Sequence, residues 1–234
     1  MNKIDDFFKP ETAEKFIERQ KRRGFLIVAE DGKQKLKMPD GHGAWVQPLD
    51  PYQMMEGGHC GINRWGHSRL DNLTDRLQGD LKDDPMKKWG IEVESACAEK
   101  AVSVFTDRDW NSSPNKFQRG GDVGNWTQVR WCPHNDRGLI YRPRNPINKP
   151  YVCVTGSMGW YLIHGWVWGF KAIQRPQTWA DSPNPAWVVD QDQLQPMETL
   201  PPEPGYEVKK DVSDAELRAI MGWSEEEHQR IIDE

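Results

Sequence analysis

The sequence predicts an α/β fold: a mixed β-sheet flanked by helices, with an N-terminal decoration and short helices at the C-terminus. Three observations carry that expectation. Met86 to Phe105 places Val93, Ala96, Cys97, Ala101, Val104 and Phe105 at helical spacing behind Pro85, a residue suited to a first helical turn. From Gly120 onward the pattern changes to short strand-like runs punctuated by turn residues. Residues 190–212 then bring Pro196, Pro201, Pro202 and Pro204, which read as an extended linker. The division expected is 1–84, a helical and loop decoration; 85–198, the core; and 199–234, an acidic helical tail.

Taken in order, residues 1–24 read as a helix. Thr12 caps it, Phe16 and Ile17 give it an apolar spot, and Gly24 ends it after Lys21-Arg22-Arg23. Phe25–Ala29 is a short strand before the Asp31-Gly32 turn. Residues 38–62, rich in glycine, proline and histidine, read as irregular loop. Arg69 to Leu81 reads as a helix using Leu70, Leu73 and Leu77. Beyond the 86–105 helix, the strands expected are Thr127–Cys132, Leu139–Arg142, Tyr151–Thr155, Tyr161–Trp168 and Ala186–Val189. Some follow directly on each other, so that part of the sheet is antiparallel. Ser213 with Glu216 and Ser224 with Glu227 form S-x-x-E capping boxes and open two small acidic helices, a docking element for a protein partner.

Composition limits the function classes. A 234-residue chain with 36% apolar and 29% charged residues suits one domain with decorations. No apolar run reaches the length of a membrane span, and Asp5 and Asp6 stand where a signal peptide carries its apolar run. The expected location is the cytoplasm, a host's cytoplasm if the chain is phage-encoded, with no membrane partner. Cys60, Cys97, Cys132 and Cys153 form no CxxC pair and read as reduced thiols. No phosphate-binding G-x-x-x-x-G-K-[ST] loop and no G-x-S-x-G elbow occurs.

The net charge of −5 is unevenly spread. Residues 190–234 hold thirteen acids against four bases, so the remaining 189 residues carry +4. Segment 105–150 alone has eight bases against four Asp. A basic middle with an acidic tail fits a phosphate-binding body, with a merely solvated surface as the plain alternative. Twelve tryptophans read first as core material and only second as base-stacking platforms.

The residues that carry chemistry lie in this core. At about 100° per residue from Val93, the apolar helix face centres near 40° and Glu94 falls at its border, near 100°. Glu92 falls opposite, among Lys88, Ser95 and Glu99, and reads as solvated. Gly120-Gly121-Asp122-Val123-Gly124 frames an aspartate that enters a strand, where a plain turn Asp is the common reading. In Thr127-Gln128-Val129-Arg130-Trp131, alternation puts Gln128 and Arg130 on one face and the apolar Val129 and Trp131 on the other.

A helix Glu, then an Asp, then an acid-x-Lys strand resembles the PD-(D/E)xK nuclease superfamily, which includes restriction endonucleases, lambda-type exonucleases and Holliday junction resolvases. Here the order is Glu94, Asp122, Gln128-Val129-Arg130. The stretch from GIEVESA through GDVG, TQVRW, PYVCVTG and HGWVWG to AWVV is also similar to small phage and bacterial members of that superfamily. The resemblance covers residues 86–198 and implies a restriction-endonuclease-like core and a metal-dependent DNA nuclease. It implies Mg²⁺ or Mn²⁺ held by Glu94, Asp122, the Gln128 side-chain oxygen and the Val129 carbonyl, with DNA as partner and a possible homodimer. Glu94, Asp122, Gln128 and Arg130 are then the catalytic set. Lys100, Arg119, Arg130, His134, Arg137 and Arg142 are the cations assigned to the nucleic acid.

Two departures from the pattern bear on activity. Gln128 in place of an acid removes one negative charge. Arg130 in place of lysine cannot act as a base, since arginine stays protonated, though it can still stabilise negative charge. The alternative function is a catalytically inactive nuclease fold that binds DNA or a host protein. His59, Cys60 and His67 suggest zinc, but H-C-x6-H lacks a fourth ligand. His164, between Leu162 and Trp166, reads as a core or edge residue.

Overall fold

The computed structural model describes residues 13–22, 26–30, 33–37, 42–70, 85–113, 120–178 and 185–203. Their elements run α1 (Ala13–Arg22), β1 (Leu26–Glu30), β2 (Lys33–Lys37), β3 (Gly43–Pro48), α2 (Pro51–Leu70), α3 (Pro85–Thr106), β4 (Gln128–Cys132), β5 (Leu139–Tyr141), β6 (Pro150–Ser157), β7 (Trp160–Trp168), α4 (Gly169–Ala172) and β8 (Trp187–Val189). Six strands form a mixed sheet in the order β1-β2-β3-β7-β6-β4. The β4–β6 pair is parallel and the other pairs are antiparallel. β5 and β8 make a separate two-stranded ribbon.

The burial patterns explain this order. β6 and β7 are buried along almost their whole length and read as continuous apolar runs, so they sit at the centre of the sheet. β2, with Lys33, Lys35 and Lys37 alternating, belongs near the edge. One sheet face packs Trp45, Val129, Val152, Val154, Tyr161 and Ile163 against Cys97, Ala98, Ala101 and Val102 of α3. The opposite face of β6 and β7 packs Tyr151, Cys153 and Val167 against Leu139, Tyr141, Trp187 and Val189 of the ribbon. Among the described residues no helix is long and apolar enough to cross a membrane.

Three sequence expectations change here. Residues 43–62 are not loop: they hold β3 and most of α2. Asp50 and Gln53 form a reciprocal capping box, with the Gln53 N–H donating to Asp50 Oδ1 at 2.8 Å and the Asp50 N–H to Gln53 Oε1 at 3.0 Å. The glycines that suggested a loop serve helix packing instead. A Cβ on Gly57 would sit 2.5 Å from Cys97 Sγ, and one on Gly61 2.4 Å from Val93 Cα, so both let α2 lie directly on α3. Second, the boundary expected at 84/85 runs through shared structure, because β3 pairs with β7 and α2 covers α3. Third, residues 190–203 are a packed strap and no free linker. Gln195 bridges Trp166 through two backbone bonds, and Met197 is buried in the core. The helix read over 69–81 falls largely on 71–84, and the two C-terminal capping boxes on 204–234, all outside the described residues.

Candidate active site

β4 is an edge strand, paired only with β6. In a parallel pair the N–H and C=O of alternate residues point to the open side, and at Val129 both do. Side chains cover them. Asp122 Oδ2 accepts the Val129 N–H at 2.8 Å, and Arg130 donates to the Val129 carbonyl at 2.9 Å. Asp122 is held in turn by a tight hairpin: its own N–H donates to Thr127 O, and its carbonyl accepts the Asn111 N–H. The GDVG motif therefore folds back on β4 and delivers a half-buried carboxylate to the strand's free edge.

The helix carboxylate that meets Asp122 is Glu99. It is 5% exposed, and Arg64 of α2 forks onto both its oxygens at 2.6 and 2.7 Å. Trp110 Nε1 donates to Glu99 Oε2 at 3.3 Å. Burial, with the negative charge of Asp122 added to it, pushes the Glu99 carboxyl up to about 7, against the pull of Arg64 and Trp110. Arg64 also feels the charge of Asp122 and reaches the Asn111 carbonyl, so Arg64, Glu99, Asn111 and Asp122 form one polar nest inside the α2–α3–hairpin junction.

On the other side of Asp122, Lys149 Nζ donates to the Gly120 carbonyl at 2.7 Å, and Gln128 Nε2 reaches the same carbonyl at 3.4 Å. Burial lowers the Lys149 pKa while Asp122 opposes that shift, which ties this lysine electrostatically to the aspartate. Arg130 stacks its guanidinium 5.0 Å from the centre of the Tyr151 ring. Gln128 and Arg130 share the face of β4 that turns away from α3, as alternation required.

The structure does not bring Glu94 to this cluster. Its carboxylate accepts the Met158 N–H at 3.2 Å and the Tyr161 hydroxyl at 2.7 Å. Met158 lies in the β6–β7 turn, and Tyr151, opposite Gln128, lies seven residues back along β6, a separation on the order of 20 Å. Glu94 stabilises that turn, where Met158 and Gly159 both take positive φ. The wheel misplaced the two glutamates because it assumed one buried face. α3 packs against the sheet on one side and α2 on another, and Glu99 is buried by the second.

The expected nucleic-acid cations are dispersed. Lys100 Nζ pairs with Glu56 of α2 at 2.8 Å and lies over the Trp110 ring. His134 and Arg137 are exposed on the turn after β4, Arg142 is half-buried, and Arg119 lies outside the described residues. Of the zinc candidates, His59 and His67 are exposed, while the Cys60 thiol is buried against the Ser112 carbonyl. Among the described residues no group of three or more His, Cys, Asp and Glu gathers to hold a metal. The oxygen donors near Asp122 are of the hard type that Mg²⁺ takes: Asp122 Oδ1, Glu99 and the Gln128 side-chain oxygen. The Val129 carbonyl is engaged by Arg130, and both Glu99 oxygens by Arg64.

No family model matches the chain, and neither the curated proteins nor the solved structures hold a match to it.

Proposed function

We propose that the protein is a restriction-endonuclease-like, metal-dependent DNA nuclease whose chemistry centres on Asp122 and Glu99. The observation that carries this reading is the carboxylate pair itself: two acids, one of them fully buried with a raised pKa, meeting at the open edge of β4. Two acids are rarely held this close without a cationic partner, and perturbed carboxylates mark reactive sites more often than structural ones.

A bound Mg²⁺ or Mn²⁺ would supply Lewis-acid activation of water and charge neutralisation on the phosphate. The residues fit it in donor type, with Asp122, Glu99 and Gln128 as its ligands. Asp122 is fixed by the Val129 N–H, so its second oxygen is presented without conformational search. Arg64 neutralises Glu99 in the absence of another cation and must shift for Glu99 to act as a ligand. Lys149 and Arg130 supply positive charge on the opposite side of Asp122 and hold the scissile phosphate. Arg130 acts only as a charge, never as a base.

A second reading is a nuclease fold that binds DNA or a host protein without cutting. The Arg64 fork on both Glu99 oxygens and the neutral Gln128 favour it. Incubation of labelled duplex, single-stranded and branched DNA with Mg²⁺, Mn²⁺ or EDTA separates the two. Metal-dependent cutting by the wild type that disappears in Asp122→Ala is the expected result. DNA binding with no cutting under any metal condition overturns the catalytic reading and leaves the binder.

A further inference from the structure

A cavity of about 360 Å³ opens at the other half of the sheet, between β2, the start of β3, β7 and the strap at 191–198. Lys35, Lys37, His42, His164, Gln191 and Met197 are among its walls. None of these takes part in the Asp122 cluster.

Its inner wall is unusually well ordered for a surface cleft. The buried Gln191 amide donates to the backbone carbonyls of Asn135 at 2.8 Å and Arg137 at 2.9 Å. That fixes its orientation, so Gln191 Oε1 is the atom 3.3 Å from His42 Nε2, and His42 must be the donor. His164 is 5% exposed, and its Nε2 lies 2.7 Å from Thr155 Oγ1 on β6. The two nitrogens of an imidazole point to opposite sides. With Nε2 turned to β6, Nδ1 faces the β3 side, where the cavity lies, and it has no hydrogen-bond partner among the described residues. Burial, with His42 nearby, lowers the His164 pKa to about 3, so the ring is neutral and offers one hydrogen-bonding site. A buried polar atom without a partner is costly, and its usual explanation is a water or a ligand.

The mouth is cationic. Lys35 is held by Glu198 at 2.9 Å and lies over the Trp45 ring, whereas Lys37 is exposed at the end of β2. Between mouth and floor the walls are apolar, with Trp45, Leu194 and Met197. The space exceeds the roughly 30 Å³ share of one water many times over.

We propose that this cavity binds a small organic anion, a carboxylate or a phosphate monoester, whose inner end hydrogen-bonds His164 Nδ1 and whose charge meets Lys37. The proposal stands independently of the nuclease reading. The test is a titration of the full chain, labelled with ¹⁵N in its histidine rings, in phosphate-free buffer. The probes are adenosine monophosphate, succinate and neutral adenosine. The expected result is a saturable shift of the His164 ring nitrogens with one or both anions and none with adenosine. Response to the monophosphate alone identifies the phosphate class, and response to succinate alone the carboxylate class. Lys37→Glu, an exposed substitution whose fold is checked by circular dichroism, should weaken the binding about tenfold or more. No saturable shift with either anion, an equal response to adenosine, or unchanged affinity in Lys37→Glu overturns the proposal and leaves the cavity to water.

Discussion

Removing the Arg64 guanidinium should destabilise the protein far more than the loss of a surface ion pair. The Arg64 and Glu99 side chains are 11% and 6% exposed, so neither charge can turn to water when its partner is gone. Exposed pairs are worth about 0–1 kcal/mol, whereas breaking a buried pair on one side costs about 3–5 kcal/mol. In Arg64→Met the stem packing is largely kept, and the loss falls on Glu99, left beside Asp122 without its fork. The pH dependence follows from the raised carboxyl. Glu99 holds its proton more tightly folded, at about 7, than at its ordinary 4.5. Its neutral form therefore stabilises the fold fully below pH 4.5, and that contribution is lost as pH rises through 7. Without Arg64 the carboxyl rises further, so the penalty is largest at pH 8 and shrinks at pH 5. Urea unfolding followed by tryptophan fluorescence at both pH values reads this directly. Adding Glu99→Gln should restore much of the loss at pH 8. A loss under about 1 kcal/mol that is the same at both pH values would refute the reasoning.

Three further outcomes follow from particular contacts. Gly61→Ala puts a Cβ 2.4 Å from Val93 Cα and should cost about 1–3 kcal/mol by pushing α2 off α3, read as a lowered melting temperature; an unchanged melting point would mean the helices yield freely. Tyr161→Phe removes the 2.7 Å hydroxyl donor to Glu94 in a buried site, so stability should fall by about 1.5–3 kcal/mol while any DNA cleavage per folded molecule stays unchanged. Gly159→Val places a β-branched side chain at φ +84° with its Cβ against the Met54 sulfur, and a chemical-denaturation midpoint clearly below wild type is expected.

The parts legible in the sequence were those where one local signal decided the structure. α3 declared itself by apolar spacing behind Pro85, and β4 to β8 by strand runs between turns, because each buries a face whose period matches its element. Asp122 stood out because the glycines around it allow the tight hairpin that presents it. The misreadings come from contacts between elements. α2 was hidden by Gly57, Gly58, Gly61 and Gly66, poor helix formers that here permit close approach to α3, although the Asp50–Gln53 capping box and the Gly57–Gly61 spacing were visible signals. Once α2 was read as loop, the second buried side of α3 could not be anticipated, and Glu99 looked solvated. Arg64 and Lys149 were missed for the same reason: nothing within ten residues of either marks its partner, which comes from another element. The 190–203 strap read as a linker from its prolines, yet prolines also suit an extended segment that packs through single backbone bridges such as Gln195–Trp166.

The most direct test of the central claim is to compare DNA cleavage by Glu99→Gln and Glu94→Gln under the metal condition that supports the wild type. If Asp122 and Glu99 form the reacting pair, Glu99→Gln loses about a hundredfold or more in rate, as Asp122→Ala does, and Glu94→Gln cuts within a few-fold of wild type. Loss of cutting in Glu94→Gln with normal cutting in Glu99→Gln would contradict the account.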